Sequence, residues 1–172
     1  MILDDLRHKA YCYYEDCRWW NIARVFCADG TSAVILYRIA KFFQRMKLGF
    51  AGALILKLNK TLNSCVIGRG VSFQEGFVLM HPVGVVINGG VAGGKKVVLE
   101  SGVVLGAARN GFPVEVPKLG SDIFIGSGAK VIGNITLGNN VTVGANAVVL
   151  NDVPDNSVVV GIPAREVGRE PE

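Results

Sequence analysis

The sequence lacks a long uninterrupted apolar run. Its longest apolar stretch, Leu48 to Leu56, is about half of what a membrane-spanning helix requires. The first residues also lack the basic-then-apolar pattern of a secretory signal. We therefore expect a cytoplasmic protein without a transmembrane segment.

Cysteine and histidine are too sparse for the common metal sites. The four cysteines show no Cys-x-x-Cys spacing, and the only two histidines are His8 and His81. His8 with Cys12 and Cys17 has no obvious fourth zinc ligand, and a carbonic-anhydrase-like enzyme needs three histidines around its metal. We expect no metal site. Cys65 has no base near it in the sequence, so we expect a core residue rather than a nucleophile.

Like charges do not form long runs, although the formal net charge is +4. Because no run of five or more like charges occurs, the sequence does not favour a nucleic-acid-binding protein. Apolar residues recur at three- and four-residue spacing over 34–46, which predicts an amphipathic helix with Arg38 and Lys41 on its solvent face. We expect this helix to pack under the rest of the protein, which is the commoner arrangement; contact with a membrane surface is the alternative, which the preceding Trp19 and Trp20 fit.

From position 67 onward the hydrophobic period is six. Apolar residues occupy every sixth position in two series, which are Ile67, Phe73, Leu79, Val85, Val91, Val97 and Val103, then Leu119, Ile125, Val131, Leu137, Val143 and Val149. A hexapeptide period is typical of a parallel β-helix, in which three short strands form one triangular coil. We predict a mainly β fold: a short N-terminal α-helical region over 1–63, then a left-handed parallel β-helix over 64–172 with a protruding loop at 108–118 and a C-terminal cap. Because one apolar side wall of a β-helix commonly packs around a threefold axis, we expect a homotrimer.

The particular residues of the repeat are informative. IGSGAKVIGNITLGNNVTVGANAVVLNDVPDNSVVVGIPAR, residues 125–165, resembles the C-terminal part of serine acetyltransferases and related hexapeptide-repeat acyltransferases. VLMHPVGVVIN (78–88), LESGVVLGA (99–107) and LYRIAKFF (36–43) extend the resemblance to roughly 130 residues. The resemblance implies acetyl-CoA as acyl donor, a hydroxyl acceptor, an active site between neighbouring subunits, and His81 as the general base.

Further residues are expected around these reactants. The second imidazole nitrogen of His81 needs an orienting partner, for which Glu115, Glu100 or a backbone carbonyl are candidates. Backbone N–H groups at Gly106 and Ala107 are candidates for binding the oxyanion. The resemblance also implies that the pantetheine arm of acetyl-CoA runs along a groove beside Ser127, Ala129, Gly144 and Ala145. Lys130 and Arg165 are candidates for binding its phosphates.

Departures from the resemblance bear on the acceptor. Cysteine-pathway members carry Asp directly before the base and an Arg-His pair in the loop, where this sequence has Met80, Glu115 and Val116. An acidic residue in place of a carboxylate-binding arginine should repel free serine. Members associated with surface-polysaccharide biosynthesis share the short helical lead and the HxxGxVIN pattern of residues 81–88. We therefore expect a sugar hydroxyl as acceptor, contacted by the loop residues 109–112. A serine O-acetyltransferase of cysteine biosynthesis and an inactive β-helix scaffold are the alternatives.

Overall fold

The chain is a row of helices followed by a coil of very short strands. The computed structural model describes residues 1–108 and 114–167, so the predicted acceptor contacts at 109–112 lie outside the described residues. The helices within these ranges are α1 (Ile2–Tyr14), α2 (Trp19–Phe26), α3 (Thr31–Arg45) and α4 (Gly49–Asn63). The strands are β1 (Val66–Ile67), β2 (Ser72–Phe73), β3 (Val78–Leu79), β4 (Val86–Ile87), β5 (Ala92–Gly93), β6 (Val97–Leu99), β7 (Val104–Gly106), β8 (Lys118–Leu119), β9 (Ile123–Ile125), β10 (Lys130–Ile132), β11 (Thr136–Leu137), β12 (Thr142–Val143), β13 (Val148–Val149), β14 (Val158–Gly161) and β15 (Ala164–Val167).

Successive strands from β1 to β12 join three different sheets in rotation. Wall A has the order β1-β4-β7-β10-β13, wall B the order β2-β5-β8-β11, and wall C the order β3-β6-β9-β12-β14. All strand pairs in these three orders are parallel, and only β15 returns antiparallel against β14. This arrangement confirms the predicted parallel β-helix. It also creates three kinds of corner, which we name AB, BC and CA after the walls they join.

The six-residue series forms the core of the coil. All thirteen positions are at most 6% exposed, so the expected apolar interior is confirmed. Each wall stacks its inward side chains in two columns, one above the other from coil to coil. In wall A the first series moves from one column to the other, because Ile67 pairs with Ile87 and not with Val85. Val66 pairs with Val86, twenty residues on, whereas Val86 pairs with Val104, eighteen residues on. The CA corner at 80–85 is therefore two residues longer than the later CA corners, and His81 lies in it.

A buried ion pair attaches the helices to the coil, and it corrects the predicted helix face. Arg38 is 5% exposed rather than solvent-facing, because its Nε donates to Asp5 Oδ2 at 2.8 Å. Arg38 also donates to the carbonyl oxygens of Phe73 and Gln74 at the β2 end. Asp5 Oδ1 in turn accepts the backbone N–H of Gly76 at 2.9 Å. The pair thus joins α1 and α3 to the BC corner that leads into β3.

Candidate active site

His81 lies where β3 ends. Its side chain is 53% exposed, so solvent and ligands can reach the imidazole. The corner around it is closed by the backbone N–H of Val85 donating to the Pro82 carbonyl at 3.1 Å and by Gly84 N–H donating to the Ser64 carbonyl at 3.0 Å. The imidazole is therefore accessible but carried on a hydrogen-bonded turn.

Asp29 is the residue that the structure brings to His81. His81 Nδ1 lies 3.4 Å from Asp29 Oδ2, across 52 positions of sequence. Asp29 stands in the turn between α2 and α3 and is itself exposed. A carboxylate at Nδ1 favours the tautomer that carries its proton on Nδ1, which leaves Nε2 as the acceptor nitrogen.

The turn that carries Asp29 is held against the end of β3. Gly30 has φ of 74°, and a Cβ atom there would overlap the carbonyl oxygen of Leu79. Lys9, from α1, inserts its ammonium group between the two segments and donates to the carbonyl oxygens of Asp29 and, at 2.9 Å, Leu79. Lys9 is 2% exposed, and burial lowers the pKa of its ammonium to about 8. A buried lysine and a close glycine contact therefore set the position of Asp29 relative to the corner of His81.

Within a single chain Glu115 does not lie beside His81. Val116, the next residue, is buried against Gly90, which lies in an AB corner. Glu115 is exposed there, on a different corner from His81. Glu100 does lie in a CA corner, and its charge acts on Lys9, yet no hydrogen bond between it and His81 occurs among the described residues. Sequence reasoning missed Asp29 because nothing in the local sequence links the α2–α3 turn to the first CA corner.

Three of the predicted groove residues lie in CA corners, as His81 does. Ser127 lies in the corner between β9 and β10, and Gly144 and Ala145 lie in the corner between β12 and β13; Ser127 and Ala145 are exposed. The backbones of these corners are stacked, because a Cβ on Gly84 would lie 3.4 Å from the Cα of Gly102. Gly84 and Gly102 add no side chain of their own to this row of corners, although the Lys130 side chain reaches it.

The structure also places the other three residues predicted to contact acetyl-CoA, which are Ala129, Lys130 and Arg165. Ala129 was expected to line the groove, and this is corrected: it is fully buried, with its N–H donating to Gly126 and its carbonyl accepting from Val104. Lys130 Nζ donates to the carbonyl oxygens of Gly102 at 2.8 Å and of Gly128 at 2.7 Å, which gives it a role in holding two corners. Arg165 is exposed on the β14–β15 hairpin at the far end of the coil.

Gly106 and Ala107 stand at another corner. They lie at the end of β7 and the start of an AB corner, whereas His81 is in a CA corner. The full width of wall A separates these two corners. A single chain therefore does not join the candidate base with the candidate oxyanion donors.

Other reactive groups of the chain contribute no second centre within residues 1–108 and 114–167. No group of three or more His, Cys, Asp or Glu side chains is clustered there to hold a metal ion. His8 Nδ1 lies 2.6 Å from the Gly76 carbonyl oxygen, and Cys17 Sγ donates to the Arg7 carbonyl at 3.4 Å. Cys65 is buried in the core as expected, and burial raises the pKa of its thiol to about 11.

Comparison with known proteins gives the family. A family model described as "Bacterial transferase hexapeptide (six repeats)" matches residues 117–151. A serine acetyltransferase of Helicobacter pylori is 31% identical over 151 residues, which cover 88% of this chain and 87% of that protein. The chain belongs to the serine acetyltransferase family. A serine acetyltransferase of Synechococcus elongatus is 34% identical and matches 84% of this chain. The structure of a Brucella abortus serine acetyltransferase in complex with coenzyme A superposes on 96% of this chain with a TM-score of 0.85 and 25% identity.

These serine acetyltransferases differ from the chain in length. The chain spans 59% of the Synechococcus relative and 66% of the Brucella chain.

Proposed function

We propose that the chain is an acetyl-CoA-dependent O-acetyltransferase in which His81 is the general base. The observation that carries the proposal is the Asp29–His81 pair, in which an exposed imidazole has its Nδ1 3.4 Å from a carboxylate. Family membership supports the acyl donor, since the similar Brucella enzyme is named as a complex with coenzyme A. Gly84 and Gly102 in the CA corners also let a long donor arm lie close to the backbone.

The proposed reaction is a direct transfer. His81 Nε2 takes the proton of the acceptor hydroxyl while the oxygen attacks the thioester carbonyl carbon. Asp29 stabilises the imidazolium that forms, as a carboxylate does in other base–carboxylate pairs. When the tetrahedral intermediate collapses, the carbon–sulfur bond breaks and His81 returns the proton to the departing thiolate. Such general-base catalysis is worth typically about a hundred- to ten-thousand-fold in rate.

The proposed active form is a homotrimer with sites between subunits. The separation of His81 from Gly106 and Ala107 within one chain supports it, because a neighbouring subunit can bring an AB corner to a CA corner. Glu115, on the same AB corner, then belongs to the neighbour's side of the site. We also propose that the coil is left-handed. The free thiols of the four cysteines fit a reducing cytoplasm as its location.

Two acceptor classes are proposed, and L-serine is the first. The relatives reported above are all named serine acetyltransferases, which favours serine over the sugar expected from the sequence. A sugar hydroxyl is the second candidate, favoured by one observation: Met80 precedes the base and the exposed Glu115 offers a negative charge where the resemblance implied an arginine. A carboxylate-bearing acceptor would be repelled by that charge.

The acceptor experiment follows release of free coenzyme A from acetyl-CoA with L-serine and with a panel of neutral and nucleotide-linked sugars. Serine-dependent release by the wild type supports the first acceptor, and Glu115→Arg at the exposed position should then raise kcat/KM for serine. Sugar-dependent release that Glu115→Arg does not raise supports the second. If no acceptor gives release that depends on His81, the acetyltransferase proposal fails and the scaffold alternative stands.

Mixed trimers test whether the site is shared. His81→Ala and Gly106→Val should each be inactive alone; a Cβ at Gly106 would meet the terminal methyl group of Ile132 at 3.4 Å, which is ordinary contact. Refolding the two variants together should restore about a quarter of wild-type activity, since about one interface in four then pairs an intact His81 with an intact Gly106. No recovery, with trimers shown by sedimentation, would place the whole site within one chain.

A further inference from the structure

Helix α4 presents its large apolar side chains to solvent. Phe50, Leu54, Leu58 and Leu62 are 78%, 52%, 48% and 66% exposed, and we call these four residues the α4 stripe. Because they are spaced four residues apart, they are neighbours on one helix surface over about 18 Å. This is an exposed row of large apolar groups rather than scattered single residues.

The inner face of α4 explains why these side chains stay outside. Gly52 is buried against α3, where a Cβ would lie 2.9 Å from the Ala40 carbonyl oxygen. Asn59 is 1% exposed and donates to the Ala33 carbonyl at 2.9 Å. Glycine and a hydrogen-bonded asparagine thus hold α4 close to α3. Leu56 packs against the core, whereas the four residues of the stripe lie on the solvent side of the helix, where an ordinary surface helix carries polar residues.

The charge around the α4 stripe has one sign. Residues 30–74 contain seven lysine and arginine residues and no aspartate or glutamate. Lys57 and Lys60 are exposed on α4 itself, beside the stripe. Arg45 and Lys47 are exposed at the α3–α4 turn, and Arg69 is exposed nearby with its guanidinium donating to the Gly49 carbonyl at 2.8 Å. An apolar row flanked by cations is complementary to a surface that is apolar below and anionic at its rim.

A twofold contact between two copies of the chain is a poor match for this surface. Such a contact would bring two stripes together along with both sets of flanking cations. Like charges placed opposite each other oppose such an interface. No helix within the described ranges is long and apolar enough to cross a membrane.

We propose that the α4 stripe binds the surface of an anionic lipid bilayer. The helix lies in the plane of the headgroups, with Phe50, Leu54, Leu58 and Leu62 inserted at the acyl boundary and Lys57 and Lys60 among the phosphates. The His81 side chain takes no part, because its imidazole contacts Asp29 in the α2–α3 turn rather than α4. Membrane binding and acetyl transfer are therefore separable properties.

Vesicle flotation tests the proposal with the full chain. The wild type should partition at least about ten-fold more strongly to phosphatidylcholine vesicles with about 30% phosphatidylglycerol than to phosphatidylcholine alone, and about 1 M salt should remove the difference. Leu54→Gln with Leu58→Gln should lower binding about ten-fold or more. Lys57→Gln with Lys60→Gln should lower it about 25-fold, at about five-fold for each lysine near an anionic surface.

Leu150→Gln is the matched control, because Leu150 is 50% exposed on the coil outside α4, and it should float like the wild type. Circular dichroism and thermal unfolding establish that each variant folds. Absent or equal binding to the two vesicle types overturns the proposal. So does a fall in the solution mass on Leu54→Gln with Leu58→Gln, which would make the stripe a contact between copies, or complete competition by polyglutamate, which would make it a site for acidic polypeptides.

Discussion

Arg38→Met should be strongly destabilising, although the sequence places this arginine in an ordinary amphipathic helix. In the folded chain Arg38 and Asp5 are both 4% exposed at their side chains and form a two-point contact at 2.8 and 3.0 Å. Removing the guanidinium leaves a buried carboxylate with only backbone N–H donors and takes one donor each from the carbonyl oxygens of Phe73 and Gln74. Breaking a buried pair from one side costs about 3–5 kcal/mol. That is a large share of a typical stability of about 5–15 kcal/mol.

Urea unfolding at a fixed chain concentration measures this cost, with the concentration held because assembly adds to apparent stability. Arg45→Met, exposed on the same helix, is the control and should change the free energy of unfolding by less than about 0.5 kcal/mol. Asp5→Asn added to Arg38→Met should recover part of the loss, because the amide oxygen keeps the N–H bonds from Gly76 and Phe77 without a buried charge. A cost below about 1 kcal/mol for Arg38→Met would refute the assigned role.

Three further predictions concern the surroundings of His81. Asp29→Asn should lower kcat for coenzyme A release about 10- to 100-fold with little change in the KM for acetyl-CoA, and a kcat within about three-fold of wild type would count against the pair. Burial lowers the pKa of Lys9 from 10.5 to about 8. Between these pH values the Lys9 amine is protonated in the unfolded chain and neutral in the folded one, so the free energy of unfolding should rise from pH 8 to 10.5 by about 3 kcal/mol in all. Lys9→Met should remove that rise in a pH series of urea titrations, and a profile identical to wild type would contradict the assignment. Gly30→Ala should lower the free energy of unfolding by about 1–3 kcal/mol, because φ is 74° and the new Cβ would overlap the Leu79 carbonyl oxygen. Urea unfolding measures this as well, and an unchanged midpoint of the urea transition would mean that the turn is not held against Leu79.

The coil could be predicted from sequence because its physical demand is local and repeated. Each wall needs an inward apolar residue, and several apolar residue types meet that need. The period of six is therefore readable in the sequence from Ile67 to Val149. The period does not distinguish the two inward columns, however. The two extra residues at 80–85 move the series from one column to the other, and both columns are apolar. The six-residue hydrophobic period therefore does not reveal that the corner carrying His81 is two residues longer than the later ones.

The surroundings of His81 could not be predicted for a different reason. Asp29 is 52 positions from His81, and Lys9 is 70 positions from Leu79, so their meeting depends on how the helices dock. Arg38 was misassigned because helical periodicity places cations outside, and only the carboxylate of Asp5 on another helix makes burial tolerable. Glu115 lies in the AB corner between β7 and β8, whereas His81 lies in a CA corner, and the spacing of the repeat alone does not relate these two corners.

The most direct test of the account compares the two histidines of the chain. His81→Asn and His8→Asn are matched substitutions on different corners, since His8 contacts the Gly76 carbonyl in a BC corner. Release of coenzyme A with the preferred acceptor should fall about a hundred-fold or more for His81→Asn and stay close to wild type for His8→Asn. Equal activity in wild type and His81→Asn would contradict the assignment of His81 as the general base.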